Sequence, residues 1–384
     1  MTDRPCRRAV AADVRVGRCP SSRSRMSGYV VGLSIFLALA GCESMPQRAK
    51  EEATARWNRA RAQVKASLAA DHFAAGNVSA AAEELNEACR LDPTEPGLLP
   101  LRVRICLAED RLSEAEALVE AGLRNGPPSA ELEYLLGVIR QQEQRWDEAL
   151  AAFKRAAELD AEEVAYVVAT AQVWLQLGQP DAAQGYLESG AERFRWTNAY
   201  QAALAECHEQ MGAWSAAASA WQRVIGSEAA GAALQERLAI ALFRAGRYAE
   251  AAPVLDQLTS GPEASTAAAL HLMLAESYLE LGRDTAARTA LQAVLRADRD
   301  DPRALRLLAR ALVVAGEDEA ALATAQRVLL RQPEDVATLE LVATLAWRAG
   351  NENVLVGALA TLARCEPQSP VARVLRGEAS SDVR

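Results

Sequence analysis

Small and apolar residues recur along the chain with a period of 34 residues. The period is clearest when the chain is aligned on a series of turn positions, most of which are glycine. One step in the series is 36 residues long, near Gly261-Pro262, where we expect a longer loop. The turn positions are Gly76, Asp110, Gln144, Gly178, Gly212, Gly246, Gly282, Gly316 and Gly350. A regular period of this length predicts a repeat protein.

Small side chains stand at two fixed distances from each turn position. Seven residues before the turn, the series is Ala69, Val103, Gly137, Ala171, Ala205, Ala239, Ala275, Ala309 and Ala343. Five residues after the turn, it is Ala81, Ala115, Ala149, Ala183, Ala217, Ala251, Ala287, Ala321 and Leu355. Larger apolar residues follow four positions later, which is the spacing of one helix face. These are Leu85, Val119, Phe153, Leu187, Trp221, Leu255, Leu291, Ala325 and Leu359. The pattern predicts two closely crossing helices in each unit.

This helix–turn–helix unit of 34 residues resembles the tetratricopeptide repeat. The clearest copy is residues 135–161, where Gly137 takes the small position of the first helix and Ala149 and Phe153 take positions of the second. The resemblance implies an all-α fold, an α-solenoid superhelix of about nine repeats over residues 62–369. Each repeat would bury its apolar face against its neighbours. Residues 42–61 are expected to form a tether and a leading helix, and residues 370–384 a capping helix and a tail.

An uncharged run near the N-terminus has a different character. Residues 28–40 are 13 residues without a charge, whereas a membrane-spanning helix needs about 20. The run fits the apolar region of a secretory signal, with Arg23 and Arg25 as the preceding positive charges. Met26 is an alternative start, but a chain starting there would have no positive charge before the run, so a start upstream is preferred.

The residues that end this run, Leu39-Ala40-Gly41-Cys42, resemble the lipobox of bacterial lipoproteins. The resemblance implies that residues 1–41 are a signal peptide and that Cys42 becomes the lipid-bearing first residue. Several acyl chains would anchor the protein stably to a membrane. Glu43 stands where an aspartate retains such proteins in the inner membrane, so we expect the periplasmic face of the outer membrane. The alternative is an uncleaved signal with an incidental cysteine.

Composition and charge exclude some partners. Half of the residues are apolar but only 5% are aromatic, and the abundant alanine favours helices. The net charge is −9, and removal of residues 1–41, with seven arginines and two aspartates, leaves about −14. Because polyphosphate chains need a basic surface, nucleic acid is not an expected partner.

No motif for catalysis, metal binding or a cofactor is found. The histidines, His72, His208 and His271, fall in separate repeats, and none has a second ligand at a metal-binding distance. Six of the seven tryptophans recur at repeat positions and are expected to pack between helices. These are Trp146, Trp174, Trp196, Trp214, Trp221 and Trp347. Four cysteines are expected to be buried free thiols, and a bridge between two of them, Cys89 and Cys106, is the alternative. These cysteines are Cys89, Cys106, Cys207 and Cys365.

In the tetratricopeptide family the first helix of each repeat lines the inner wall of the groove. The resemblance therefore implies partner-binding candidates at Arg104, Tyr134, Gln141, Gln172, Glu206, Glu209, Glu236, Glu276, Arg303, Arg306, Arg310 and Trp347. On this basis the middle of the groove is acidic and its far end is basic. The charges either solvate the inner face or orient a partner with a basic centre and an acidic end.

The sequence thus predicts a non-catalytic, lipid-anchored scaffold for protein–protein interactions in a cell-envelope complex. Family resemblance admits exopolysaccharide export, pilus or secretin assembly and the peptidoglycan machinery. An adaptor that contacts polysaccharide is the alternative, although few aromatic residues are available for it. A hidden enzyme ranks last, because repeats account for nearly everything after residue 61. The expected partners are envelope proteins or peptides in the groove, and an exposed end of the solenoid could pair with a second copy.

Overall fold

The structure is a computed structural model that describes residues 47–95, 97–226, 231–260, 267–375 and 377. These residues contain 20 helices and no strand. The expected signal peptide, Cys42, the loop at 261–266 and the end of the C-terminal tail lie outside the described residues. In the part described, no helix has the length and apolar character needed to cross a membrane.

The described helices form nine consecutive pairs and a short last helix. The first four pairs are α1 (Gln47–Ala74) with α2 (Val78–Leu91), α3 (Leu98–Ala108) with α4 (Leu112–Asn125), α5 (Ala130–Gln142) with α6 (Trp146–Leu159), and α7 (Val164–Gln176) with α8 (Pro180–Ser189) and the single turn α9 (Ala191–Phe194). The next three are α10 (Asn198–Gln210) with α11 (Trp214–Ile225), α12 (Ala232–Arg244) with α13 (Tyr248–Ser260), and α14 (Ala268–Glu280) with α15 (Asp284–Ala297). The last are α16 (Pro302–Val314) with α17 (Asp318–Arg331), and α18 (Val336–Arg348) with α19 (Glu352–Cys365), followed by α20 (Pro370–Leu375).

The turn inside each pair lies at the position that the period predicts. All seven glycines of the turn series have positive φ, and so do the two other members, Asp110 at 58° and Gln144 at 61°. The following N–H then donates to a carbonyl five residues earlier, as from Arg145 to Arg140 at 2.8 Å. This bond caps the first helix by satisfying a carbonyl that has no partner within the helix.

The predicted small and apolar series lie in a succession of hydrophobic clusters along the stack. Every residue of the series seven positions before the turn is buried, and so is every alanine of the series five positions after it. Gly137 shows why size is limited, because an added Cβ would lie 2.5 Å from a ring carbon of Phe153. The consecutive helix pairs confirm the predicted α-solenoid.

Three details differ from the simple repeat or from the sequence-based expectation. The leading helix is continuous with the first repeat, because α1 runs unbroken for 28 residues. In the final pair Leu355 and Leu359 are only half-buried, and in the described part of the chain only the short α20 follows this pair. Inter-helix packing, expected for the tryptophans, is wrong for Trp196 and Trp347, which are 79% and 60% exposed.

The four described cysteines are free thiols. Cys106 and Cys207 are buried, as expected, while Cys89 and Cys365 are half-buried. The alternative of a Cys89–Cys106 bridge is therefore wrong in this structure.

Candidate binding surface

Two pockets lie along the inner wall, and only the first helices of the pairs line them. The amide pocket, about 430 Å³ in volume, lies on α5, α7, α10 and α12. Its lining residues are Gln141, Gln172, Leu175, Gln176, Glu206, Glu209, Gln210 and Arg237. The apolar pocket, about 660 Å³, lies on α12, α14, α16 and α18. Its lining residues are Phe243, Ala269, Leu272, Met273, Glu276, Arg303, Arg306, Leu307, Arg310, Val313, Val314, Ala337, Thr338 and Leu341.

One arginine, Arg237, forms ion pairs with both glutamates of the amide pocket. Arg237 donates to Glu206 at 2.7 Å and to Glu209 at 2.6 Å. Its guanidinium lies 4.6 Å from the ring centre of Trp221, and the Trp221 indole N–H donates to Glu209 at 2.6 Å. Partial burial opposes the charge on Arg237, but the hydrogen bonds to Glu209 and Glu206 raise its pKa above the usual value. Arg237 thus offsets one of the two carboxylate charges, and the group keeps a net negative charge within the wall.

The remaining polar groups of the amide pocket are glutamine side chains. Gln141, Gln172, Gln176 and Gln210 have no side-chain hydrogen bond within the described part of the chain. Each amide offers both donor hydrogens and an acceptor oxygen. Because a peptide backbone also carries both kinds of group, the amides of this pocket match a hydrogen-bonding ligand such as an extended peptide.

The apolar pocket has a hydrocarbon floor with charged groups at its edge. The floor consists of aromatic, aliphatic and thioether side chains, among them Phe243, Met273, Leu307 and Leu341. A pocket of this size and lining is typical of a site for one or two large apolar side chains.

The charged groups at that edge are largely paired with each other across repeats. Arg306 binds Asp335 at 2.8 Å, and Arg310 binds Glu280 at 2.7 Å. Glu276 and Arg303 have no ion pair among the residues that the structure describes. The edge therefore leaves one cation and one anion for a ligand.

The two pockets bring together eight of the predicted inner-wall residues. Gln141, Gln172, Glu206 and Glu209 meet in the amide pocket, while Glu276, Arg303, Arg306 and Arg310 meet at the apolar one. The other four lie outside both. Arg104 is paired with Glu131 at 2.7 Å, Tyr134 packs on Phe153 and Tyr166, and Glu236 and Trp347 are exposed.

Ion pairs offset only part of the expected contrast between an acidic middle and a basic end. Arg237 pairs with the two glutamates of the amide pocket, and acidic residues pair with Arg306 and Arg310. Glu236, Glu276 and Arg303 have no ion pair among the described residues. Sequence reasoning missed Arg237, although it stands 31 residues after Glu206 and 28 after Glu209, which is near one repeat length. The contrast that the structure shows is one of polarity, between amides and hydrocarbon.

Residues capable of other chemistry are scattered. In the described ranges no group of three His, Cys, Asp or Glu could hold a metal ion. Burial lowers the pKa of His208 and raises that of the Cys207 thiol to about 12, so both groups are uncharged near neutral pH.

Comparison with known proteins points to a single family. Models described as the tetratricopeptide repeat match residues 101–164, 134–199, 203–268 and 242–311, which together cover more than half of the chain. No protein of curated function matches the sequence.

Several solved structures have a similar fold. The C-terminal part of a repeat-containing protein from Cytophaga hutchinsonii covers 63% of this chain and 98% of its own, at 13% identity and a TM-score of 0.50. A tetratricopeptide repeat protein from Parabacteroides merdae covers 66% and 99%, at 16% identity and a TM-score of 0.43. PilW, a type IV pilus biogenesis factor, covers 56% and 99%, at 18% identity and a TM-score of 0.44. At such low identity these likenesses concern the fold alone.

Proposed function

The chain belongs to the tetratricopeptide-repeat family, and on that premise we propose that it is a lipid-anchored scaffold of the cell envelope. The scaffold holds partner proteins or peptides along its inner wall and has no catalytic role of its own. The observation that carries this proposal is the pair of pockets on successive first helices, one with free amides and one apolar.

The two pockets suit one extended partner segment. Glutamine amides of the amide pocket bind the backbone of the segment. Because all peptides have the same backbone groups, this contact does not select a sequence. The apolar pocket takes a large side chain, and this side chain supplies the selectivity. Because Phe243 and Arg237 lie on the same helix, α12, a segment of modest length reaches both pockets.

A lipid anchor would determine where in the cell envelope the scaffold lies. The lipobox at Cys42 supports attachment to a membrane, and Glu43 favours the periplasmic face of the outer membrane. The machine that it serves belongs to one of three groups: exopolysaccharide export, pilus or secretin assembly, or peptidoglycan enzymes.

The test is a crosslinked pull-down of the full chain from its own envelope fraction, read by mass spectrometry. We expect a defined set of envelope proteins, which Cys42→Ala loses or reduces. Val314→Glu places a charge at the edge of the apolar pocket, where Val314 is 61% exposed, and should reduce capture at least tenfold. Leu330→Glu, at a residue that is 82% exposed and outside both pockets, is the matched control.

Two results would overturn the proposal. In the first, Val314→Glu and Leu330→Glu capture the same partners as the unchanged protein, so the inner wall is not the binding surface. In the second, only glycan is recovered. That result would favour a polysaccharide-contacting adaptor, for which the free amides of Gln172 and Gln176 would be hydroxyl-binding groups.

A further inference from the structure

One face of α1 carries apolar side chains that remain exposed. Trp57 is 65% exposed, Val64 is 68% exposed and Leu68 is 38% exposed. With Ala53 and Ala60, which are also exposed, they are spaced by three or four residues and so share one side of the helix. We call these five residues the α1 stripe.

The opposite side of α1 holds the helix to the rest of the solenoid. Ala62 and Ala69 are fully buried, and Ala69 belongs to the core cluster that includes Leu85 of α2. The α1 stripe is therefore directed away from the repeats. Terminal repeats normally present a polar outer face, because nothing stacks on them. An apolar stripe at this end indicates that something covers it.

The charge of α1 is opposite to that of the chain. This helix has six basic and three acidic residues, whereas the whole chain has a net charge of −9. Arg59, Arg61 and Lys65 are used in ion pairs with the α2 region. Lys50 and Arg56 flank the stripe and have no ion pair among the residues described. The stripe is thus bordered by cations that are available to an anionic surface.

The position of α1 in the chain identifies that surface. The helix begins at Gln47, five residues after Cys42. An extended chain spans at most about 3.6 Å per residue, so the start of α1 lies within roughly 18 Å of the lipid-bearing residue. A helix with Trp and aliphatic residues on one side and Lys and Arg at its borders is the type that lies in a membrane interface.

We infer that α1 lies on the membrane, with the α1 stripe in the interface and its basic residues on anionic phospholipid headgroups. This inference rests on the proposed anchor at Cys42, which brings the helix to the surface. A tether alone would leave the solenoid free to rotate. Contact through α1 fixes the first repeat against the membrane, so the inner wall is held in one orientation.

The experiment is site-specific photocrosslinking in the full chain, in its own membranes. The test variants are Trp57→p-benzoylphenylalanine and Val64→p-benzoylphenylalanine. The matched control is Trp196→p-benzoylphenylalanine, because Trp196 is 79% exposed in another part of the solenoid. We expect phospholipid adducts at positions 57 and 64 and none at 196. A crosslinked dimer or an adduct with another protein at position 57 would overturn the inference, as would equal lipid adducts at all three positions.

A charge series tests the headgroup contact. The purified lipidated protein is placed in vesicles of phosphatidylcholine alone or with phosphatidylglycerol. The yield of adducts at position 57 should increase with the fraction of anionic lipid. Each cation should contribute roughly a fivefold increase, so the double variant Lys50→Gln, Arg56→Gln should remove it. Adducts that do not depend on phosphatidylglycerol would remove the anionic headgroup from the inference.

Failure of the anchor and failure of the helix contact are distinguishable. If Cys42→Ala releases the protein from the membrane but position 57 gives no lipid adduct in the anchored form, only the helix contact is wrong. If the unchanged protein is found without lipid at Cys42, the proposed anchor fails, whatever position 57 contacts.

Discussion

The amide pocket and the apolar pocket are built from the same positions of the repeat but have opposite chemistry. Nine residues before the turn, the sixth pair has Arg237, and the next three pairs have Met273, Leu307 and Leu341. Three residues before the turn, the third and fifth pairs have Gln141 and Glu209, whereas the sixth and eighth have Phe243 and Val313. The repeat therefore fixes where an inward side chain points, and the choice of residue fixes what the wall binds.

The change from one chemistry to the other occurs within a single helix. α12 contributes Arg237 to the amide pocket and Phe243 to the apolar pocket. The amide pocket depends on a structured group of charges around Trp221, while the apolar pocket depends on hydrocarbon floor residues. Substitutions should therefore affect the two regions differently.

The largest expected effect is that of Trp221→Ala. Trp221 is 1% exposed and holds both Glu209 and Arg237. Truncation of a buried aromatic side chain typically lowers the free energy of unfolding by about 3–5 kcal/mol. Urea unfolding followed by circular dichroism measures the loss, and hydrogen exchange should locate it in α10–α12. Trp347→Ala, at an exposed tryptophan, should change stability by less than about 0.5 kcal/mol, and equal losses would contradict the assigned role.

A smaller loss of stability should distinguish Arg237, which is held in ion pairs, from Arg303, which is available to a ligand. Arg237→Gln leaves Glu206 and Glu209 without their partner and should cost about 1–2 kcal/mol of stability, discounted because the Arg237 side chain is 40% exposed. Arg303→Gln, which breaks no ion pair among the described residues, should be nearly neutral. In a Glu206→Gln, Glu209→Gln background, the cost of Arg237→Gln should shrink, since the carboxylates are gone. An undiminished cost there would show that Arg237 acts through packing alone.

Substitutions at the turn positions should change the free energy of unfolding by about 1 kcal/mol, with opposite signs in the two regions. Asp110 and Gln144 hold positive φ without being glycine, and Gln144 lies in the turn after α5, which lines the amide pocket. Every turn position from Gly178 onward is glycine. Because side chains with a Cβ are strained there, Gln144→Gly should raise the melting temperature. Gly316→Ala, in the apolar region, should lower it by a similar free energy. If neither change alters the free energy of unfolding, the backbone at these turn positions is not strained by a side chain. Gly185→Ala is the control, because Gly185 has an ordinary φ and open surroundings.

The sequence predicted the turns and the core because those features recur in every repeat. Even Asp110 and Gln144 were placed correctly, since the period locates a turn whose residue is not glycine. The chemistry of the groove does not recur, and it depends on contacts between repeats. Glu206 and Glu209 form an acidic patch when considered alone, and only the fold brings Arg237 between them. The α1 stripe was missed because residues 42–61 were predicted only as a tether and a leading helix, and the helical spacing of Trp57, Val64 and Leu68 across the start of the first repeat was not considered.

The smallest expected difference is in acid sensitivity. The carboxylates of Glu87, Glu148 and Glu250, all outside the apolar pocket region, have pKa values below the usual 4.5, because Lys65, Arg145 and Arg247 respectively donate hydrogen bonds to them. A lowered pKa in the folded state gives stability that is present above pH 4.5 and is lost as the pH falls below it.

In the apolar region, α14–α18, Asp300 has a lowered pKa through Arg327, from a usual value of 3.8. Hydrogen-exchange protection should therefore decline first in α1–α13 as the pH falls from 5 to about 4. Arg145→Gln should remove the local response around α5 and α6, and an earlier decline in α14–α18 would contradict the assignment.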